Sequence, residues 1–466
     1  MTNKKTLSKT ASNDPTDGAR LKLEALLRRE LPRCAKCGAC TAVCPVYAET
    51  QHEAFSARGK LMLARALVEG RLECGKNAQD IFDNCLVCMA CVQNCGSGVR
   101  VDHIVTAARA LLVACQGQQP VKRTMFRHVL PKPGRLAAIM KGGAVLQRLV
   151  FDTIPETSGL RRRFSLPFLP PDLPVPSISP RPFVGRVPEF NAAFGARSEG
   201  ELTFFTGCAA NYLYPSIGEA ALHTLRVCGY NVHVPKNMGC CGAPALVAGE
   251  KATVRGLAAH NLELLAKLPG AVVSACGSGG LMLRFEYPLL TEEDADEHDA
   301  ERARRARETA ARCLDISEFL ICTVGAERLQ PLFTRKLTRR LTYHEPCHLG
   351  RGLGVQAEPR ALIGLIATDF AEMPEAGRCC GSGGTYGLAH WTESREILRK
   401  KMHNAAQVNA AILATGCPSC MVHLTAGARI TERDMPVFHL AELAAWAMGY
   451  EPVNAAEKTR FRQLEQ

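Results

Sequence analysis

Residues 34–45 read CAKCGACTAVCP, and residues 85–96 read CLVCMACVQNCG. Each run sets three cysteines three positions apart and a fourth four positions later: Cys34, Cys37, Cys40 and Cys44, then Cys85, Cys88, Cys91 and Cys95. Three thiolates so spaced wrap one face of an iron–sulfur cubane, and the fourth ligates the other cubane of a two-cluster pair. Cys34, Cys37, Cys40 and Cys95 are therefore expected to hold one 4Fe-4S cluster, and Cys85, Cys88, Cys91 and Cys44 the second. Zinc is the competing metal, but its sites use paired CxxC knuckles, which a CxxCxxC run occurring twice fits poorly. Gly96 stands where the first run has Pro45, which removes a rigid turn residue and no ligand.

Around these runs the sequence is helical. Leu61, Leu63, Ala64, Leu67 and Val68 recur at helical spacing, as do the apolar residues of Ile104 to Ala114, so a helical domain is expected over residues 21–120. Residues 1–20 are polar and read as a disordered tail. Residues 121–200 contain no cysteine and carry 13 Lys or Arg against 5 Asp or Glu. Within them Ser165 to Phe190 holds eight prolines, among them Pro170, Pro171, Pro174 and Pro176. This is a basic, proline-rich linker draped over a surface, preceded by one or two basic amphipathic helices.

Beyond residue 200 the texture becomes α/β. Leu202–Phe205, Asn231–Val234, Ala271–Ser274, Leu341–Tyr343 and Ala411–Ala414 read as buried strands. Helical patterns run over Ser216–Val227, Lys251–Leu268, Ala361–Thr368 and Ser394–Gln407. Cys208 precedes the pair Cys240 and Cys241 by the same interval that separates Cys347 from Cys379 and Cys380, and each pair continues into glycine. A further cysteine, Cys276 or Cys417, closes a strand in each copy. Two repeated α/β cysteine-rich lobes are expected, over residues 201–330 and 331–455. Thr291–Arg312, dense in both charge signs, reads as a solvated helix inserted at the end of the first lobe.

In both lobes the cysteines fall where strands end and helices begin, the edge of an open α/β sheet at which ligands bind. The first lobe offers Cys208, Cys240, Cys241 and Cys276 to a metal centre, with Gly279 at the place of a further ligand. The second offers Cys347, Cys379, Cys380, Cys417 and Cys420. One or two further iron–sulfur clusters, a zinc site in one lobe, or a set of reduced core cysteines are the open readings. His344 and His348 flank Cys347 and either ligate iron or donate hydrogen bonds to cluster sulfur. Cys74, Cys115, Cys228, Cys313 and Cys322 are left over and read as core.

Composition narrows the functional classes. The chain has 466 residues, 47% hydrophobic and 22% charged, with 22 cysteines and a net charge of +12. That usage excludes collagen-like and wholly disordered chains. No apolar h-region opens the sequence, so the thiols are expected to be reduced and the protein cytoplasmic. The apolar run Leu136–Val150 is broken by Lys141, Gln147 and Arg148, so no membrane span is expected, although Arg123–Arg163 suits an anionic membrane surface and a solvated or partner-facing surface equally. Aromatic content of 6% without a recognisable binding module argues against nucleic acid. Gly70-x4-Gly75-Lys76 imitates a phosphate loop but has Asn77 where Ser or Thr is needed. No GxGxxG follows a strand, and no Rossmann-type NAD or FAD site is expected.

The tandem runs, Arg58-Gly59-Lys60 between them, the two Cys-Cys-Gly lobes and the His344-Glu-Pro-Cys-His348 stretch together resemble the glycolate oxidase iron–sulfur subunits, over about Leu31 to Tyr450. Iron–sulfur subunits of lactate oxidation complexes and of anaerobic glycerol-3-phosphate dehydrogenase are similar, and heterodisulfide reductase subunits more distantly so. The resemblance implies an electron-transfer subunit with no flavin and no catalytic residue of its own. A separate FAD-binding partner would oxidise glycolate or a similar 2-hydroxy acid such as lactate, and the electrons would leave to a quinone or other acceptor, with peripheral contact at the inner face of the cytoplasmic membrane. It also implies that such lobes hold iron–sulfur clusters, including a non-cubane one with five cysteine ligands, a set complete here only in the second lobe. The alternative is a heterodisulfide-reductase-like catalyst that reduces a disulfide at the lobe cluster.

Overall fold

The computed structural model describes residues 15–154, 159–162, 175–292, 297–433 and 435–465. The N-terminal part is helical. Helix Pro15–Glu30 inserts Leu23 and Leu27 against helix Val101–Gln116, whose Ile104, Val105, Ala108 and Leu111 are buried. Helix Ala57–Val68 adds Leu61, Ala64 and Leu67 to the same core, while Leu63 and Val68 lie at its margin. Pro15 to Arg20 is thus helical rather than tail, because the apolar stripe around Leu23 extends the helix back to a proline start. Residues 1–14 lie outside the described residues.

Helix Ala57–Val68 starts where Ser56 Oγ accepts the Gly59 N–H at 2.9 Å. A Cβ on Gly59 would lie 2.0 Å from the Glu53 carbonyl oxygen, so only glycine lets the preceding turn fold back there.

The basic segment begins with helix Pro120–Thr124 and continues into helix Pro133–Val150 and a hairpin of β1 (Phe151–Ile154) and β2 (Gly159–Arg162). The chain then returns along the long helix, where the Gln147 side chain exchanges two hydrogen bonds with the backbone of Ile178, at 2.6 and 2.8 Å. Pro170, Pro171 and Pro174 lie outside the described residues.

The first lobe is a five-stranded sheet of order β3-β5-β4-β6-β7, built from β3 (Phe190–Asn191), β4 (Gly200–Phe205), β5 (Tyr230–His233), β6 (Ala271–Ser274) and β7 (Cys313–Asp315). All neighbours are parallel except β3 and β5. The second lobe has β8 (Leu341–His344), β9 (Ile412–Thr415) and β10 (Val437–His439) in the order β10-β9-β8, all parallel. Bridges from Leu337 to Ala367 and from Leu341 to Phe370 stand where the first lobe has β5. Every residue of β8, β9 and β10 is buried, as strands covered on both faces must be.

Two sequence expectations shift. The helix expected to reach Thr368 is Ala357–Ile366 and stops there, because Thr368 turns to donate its N–H to the Leu337 carbonyl at 2.9 Å. Strands β3, β7 and β10, of two or three residues, were not expected. The inserted charged helix forms as Glu297–Ala311, with Arg305 and Glu301 2.8 Å apart.

One hydrophobic core runs through both lobes, from Phe204 and Leu225 to Leu413 and Trp446. Helix Pro215–Val227 packs on helix Leu440–Ala447 at their junction. There the fully buried Glu442 pairs with Arg460, which also donates to Ser216 Oγ at 3.2 Å.

Candidate metal centres

The two cysteine runs fold alike. Lys36 and Gly38 in the first have φ of +56° and +81°, and Val87 and Met89 in the second have +50° and +58°. Each pair brackets the second cysteine of its run. Left-handed backbone at a β-branched residue such as Val87 is strained, and it persists only where surrounding structure imposes it. Here the twist turns successive thiols toward one interior space. Cys44, Cys85, Cys88 and Cys91 line a single cavity together with Phe55, Lys60 and Asp102. Burial first, then the neighbouring Cys85 and Cys88, pushes the Cys44 thiol up to about 11. Burial does the same to Cys91, with Cys85, Cys88 and Cys44 adding to it. In the first run burial raises the Cys40 thiol, with a smaller contribution from Cys34. Cys34, Cys40 and Cys95 border the helical core, and Cys37 is exposed.

Each lobe presents its cysteines from the carboxyl ends of its strands. Cys276 and Cys417 are the N-cap residues of the helices that follow β6 and β9. Gly242 and Gly381, the glycines of the two Cys-Cys-Gly pairs, have φ of +87° and +95°, and each donates its N–H at 3.4 Å to the first sulfur of its pair, Cys240 or Cys379. A Cβ on Gly381 would sit 2.7 Å from the Ser394 carbonyl oxygen. The motif therefore needs glycine twice over, for its backbone angle and for its space.

The sulfurs of the two lobes form one array that reaches Cys88 of the second run. Cys208 and Cys240 are 4.0 Å apart in the first lobe. Hydrogen bonding to Cys417, ahead of burial, raises the Cys276 thiol, so the two lobes meet sulfur to sulfur. Within the second lobe, hydrogen bonds from Cys379 and Cys420 hold Cys380 well below the ordinary thiol range, and those from Cys276 and Cys420 do the same to Cys417. Hydrogen bonding to Cys379, with burial, holds both Cys347 and Cys88 well above it. Through Cys88 the array reaches the helical domain. Thiols and thiolates crowded in an apolar interior suit a cationic metal centre, whose binding would release the remaining protons.

Three side chains clamp the domains around this array. His348 sets Nδ1 2.9 Å from Ser278 Oγ of the first lobe and Nε2 3.3 Å from the Val87 carbonyl of the helical domain. Both nitrogens are thereby engaged, and His348 is a clamp rather than a ligand. Arg351 donates to the carbonyls of Cys88 at 3.1 Å and Gly377 at 2.6 Å. Arg109, buried in helix Val101–Gln116, donates to the carbonyls of Phe82, Cys85 and Val247. His344 differs from His348. It is fully buried, neither ring nitrogen has a hydrogen-bond partner, and burial keeps the imidazole neutral by holding its pKa well below the usual range.

Two buried lysines escaped the sequence reading as site residues. Lys60 donates Nζ to the Phe55 carbonyl and lies within the electrostatic reach of Cys85, Cys44 and Cys91. Lys401 donates to the carbonyls of Glu375 at 2.6 Å and Ala376 at 3.1 Å, beside Cys380 and Cys379. Burial lowers both pKa values, that of Lys401 to about 8. Each places a cation beside a thiolate cluster, where burying charge is tolerated only with a counter-charge. Their signal in the sequence was a lysine on the apolar side of a helical pattern, in line with Ala57, Ala64 and Leu67 for one and with Ile397 and Leu398 for the other. Of the leftover cysteines, Cys228 and Cys313 are core, Cys322 is exposed, and the sulfurs of Cys74 and Cys115 are 2.7 Å apart.

Comparison with known proteins agrees with this geometry. Residues 30–99 match the 4Fe-4S dicluster domain, and residues 202–284 and 341–425 each match the cysteine-rich domain. The probable glycolate oxidase iron-sulfur subunit of Bacillus subtilis is 28% identical over 434 residues, covering 91% of this chain and 95% of that protein. The glycolate oxidase iron-sulfur subunit of Escherichia coli is 27% identical, over 89% of this chain and 93% of its own length. The chain is a homologue of the glycolate oxidase iron-sulfur subunits. A dihydromethanophenazine:CoB–CoM heterodisulfide reductase subunit of Methanosarcina barkeri is also similar, 25% identical over 92% of this chain and 96% of that one. This homologue thus joins a helical iron–sulfur domain to two cysteine-rich α/β lobes, as its sequence indicated. These relatives are named as subunits of oxidoreductases. Among the described residues no helix is long and apolar enough to cross a membrane.

Proposed function

We propose that this chain is the electron-transfer subunit of a glycolate dehydrogenase-type complex. In this reading an FAD-binding partner oxidises glycolate or a similar 2-hydroxy acid, and this chain carries the electrons singly to a quinone or other acceptor. Cys34, Cys37, Cys40 and Cys95 hold the first 4Fe-4S cluster, and Cys85, Cys88, Cys91 and Cys44 the second. Cys208, Cys240, Cys241 and Cys276, and Cys347, Cys379, Cys380, Cys417 and Cys420, hold centres in the two lobes. The division of the chain is helical domain 21–120, linker 121–200 and lobes 201–330 and 331–455, with helix Pro15–Glu30 extending the first and β3 joining the first lobe's sheet from within the linker. Bound clusters supply one-electron redox chemistry; the protein supplies thiolates, the counter-charges Lys60 and Lys401, and exclusion of water.

The observation that carries the reading is the sulfur array, in which Cys88 of the helical domain adjoins Cys379 and Cys417 adjoins Cys276. Such continuity is what a relay between domains requires. Helix Pro133–Val150 supports a membrane-side acceptor: Ile139, Val145, Leu146 and Leu149 are exposed along it, between Arg135, Lys141 and Arg148. That pattern suits the surface of an anionic bilayer.

Stopped-flow spectroscopy of the assembled complex tests the relay. Cys37→Ser and Cys380→Ser should each leave flavin reduction by substrate intact and slow delivery to the acceptor, and the isolated chain should not oxidise glycolate or lactate. Loss of flavin reduction in a correctly assembled Cys37→Ser complex, or turnover by the isolated chain, refutes it. A second reading, reduction of a disulfide at the second-lobe centre, is favoured by the near full-length similarity to the heterodisulfide reductase protein. Disulfide reduction by the isolated, chemically reduced chain would establish that reading instead.

A further inference from the structure

The two lobes are built on one plan, so their differences mark what one of them has acquired. Superposing the repeats by their strand registers sets His344 against Phe205: His344 ends β8 opposite Thr415 of β9, and Phe205 ends β4 opposite Ser274 of β6. Both rings are fully buried. The same comparison sets Cys420 against Gly279, each three positions beyond the cysteine that caps the following helix.

These two exchanges meet in space. In the first lobe a Cβ on Gly279 would lie 3.5 Å from Phe205 Cε1, so the phenyl ring borders the place from which a cysteine side chain would extend. In the second lobe a ring nitrogen of His344 and the sulfurs of Cys380 and Cys420 all lie within 4.8 Å of one another, and all three residues are buried. The fold does not need polar atoms at this position, since its repeat mate is hydrocarbon. Yet His344 has neither ring nitrogen hydrogen-bonded, whereas among the described residues the buried His423 and His439 each have one nitrogen partnered: His423 Nε2 lies 3.1 Å from Ser394 Oγ, and His439 Nδ1 accepts the Ala441 N–H at 3.1 Å while its Nε2 is unpaired. An imidazole with two orphaned nitrogens beside two cysteine sulfurs lacks the partner that a bound metal would supply.

We propose that His344 is a ligand of the second-lobe centre, one ring nitrogen bonding iron beside the thiolates of Cys380 and Cys420. The donor set of this lobe is then mixed sulfur and nitrogen, and that of the first lobe, with Phe205 and Gly279, is sulfur alone. The inference rests on the iron–sulfur reading of the second lobe and adds a ligand to it. Histidine nitrogen on iron moves the potential of an iron–sulfur centre, so the two lobes would differ in potential as well as in composition.

The test uses the full chain, purified anaerobically with its iron, in unlabelled and histidine-15N forms. The second-lobe signal is identified as the paramagnetic signal that Cys420→Ser abolishes or alters while those of the two ferredoxin-type clusters persist. Pulsed electron–nuclear resonance on that signal is expected to show a directly bonded nitrogen coupling that changes with the isotope. His344→Phe, which installs the residue of the first lobe and so respects the packing, should remove the coupling and shift the midpoint potential of that centre alone. A second-lobe signal with no nitrogen coupling, with only the weak coupling of an N–H···S contact, or with a coupling that survives His344→Phe overturns the ligand and leaves the iron–sulfur reading standing. Absence of any iron signal or iron content sensitive to Cys420→Ser overturns the iron–sulfur reading and the ligand with it.

Discussion

Replacing Arg109 by Met should unfasten the second cysteine run from both sides. The guanidinium is 4% exposed and donates to four carbonyls: Phe82 at 2.6 Å, Asp83 at 3.1 Å, Cys85 at 2.7 Å and, across the domain boundary, Val247 at 2.8 Å. Methionine keeps most of the aliphatic stem and removes every donor. A buried acceptor left unpaired costs about 1–3 kcal/mol, and four at the low end of that range give about 4 kcal/mol. Against a typical domain stability of about 5–15 kcal/mol this is a large loss. Arg109→Lys keeps the charge but presents one nitrogen that cannot span four divergent carbonyls, and should fall between. Anaerobic urea unfolding of the holoprotein reads the stability, and the rate of iron release to a chelator reads the Cys85 loop. The methionine variant is expected to unfold at lower urea and to release part of its iron early. If it stays within about 1 kcal/mol of the parent and holds all its iron at the parental rate, Arg109 does not fasten this loop and the reasoning fails.

Three other outcomes are expected. Protein purified without oxygen should contain at least eight irons per chain with matching sulfide, the two-cubane count; fewer than about six, with stoichiometric zinc, would refute both ferredoxin-type assignments. Gly381→Ala forces a Cβ to within 2.7 Å of the Ser394 carbonyl at a φ of +95°, and should cost at least about 1–2 kcal/mol and lower the metal content of the second lobe, as elemental analysis beside Gly364→Ala, where the added Cβ meets open space, would reveal. The full chain should float with anionic liposomes at low salt and be released at high salt, each basic residue at the surface contributing roughly 1 kcal/mol, and replacing Leu146 and Leu149 by Ser should weaken flotation. No binding at low salt removes the bilayer from the account.

What was legible in the sequence was what periodicity and spacing encode. The five expected strands are present within a residue or two, because buried parallel strands are continuous apolar runs that stand out beside helices. The repeat exposed the second lobe before any coordinates did, since its cysteines keep their intervals. β7 and β10 were missed because three residues give no period to read. Contacts between domains were illegible for a different reason: that Val87 meets His348, or Cys88 meets Cys379, depends on how three bodies dock, which no local pattern records. Lys60 and Lys401 fell between these cases. Their helices were correctly placed, and each lysine falls on the apolar side of its helix, but that position alone does not tell a lysine held inward by cysteine sulfurs from one whose stem reaches past the core to water.

The junction of Arg351 with Cys88 joins positions 263 residues apart. During synthesis the helical domain is complete long before the strand and turn that will cover Cys88 have left the ribosome. Once the second lobe docks, Cys88 and Cys379 are both enclosed. With iron bound as proposed, the second run would be open to loading before the second lobe docks and partly covered afterwards, which couples the filling of that centre to the order in which the domains close.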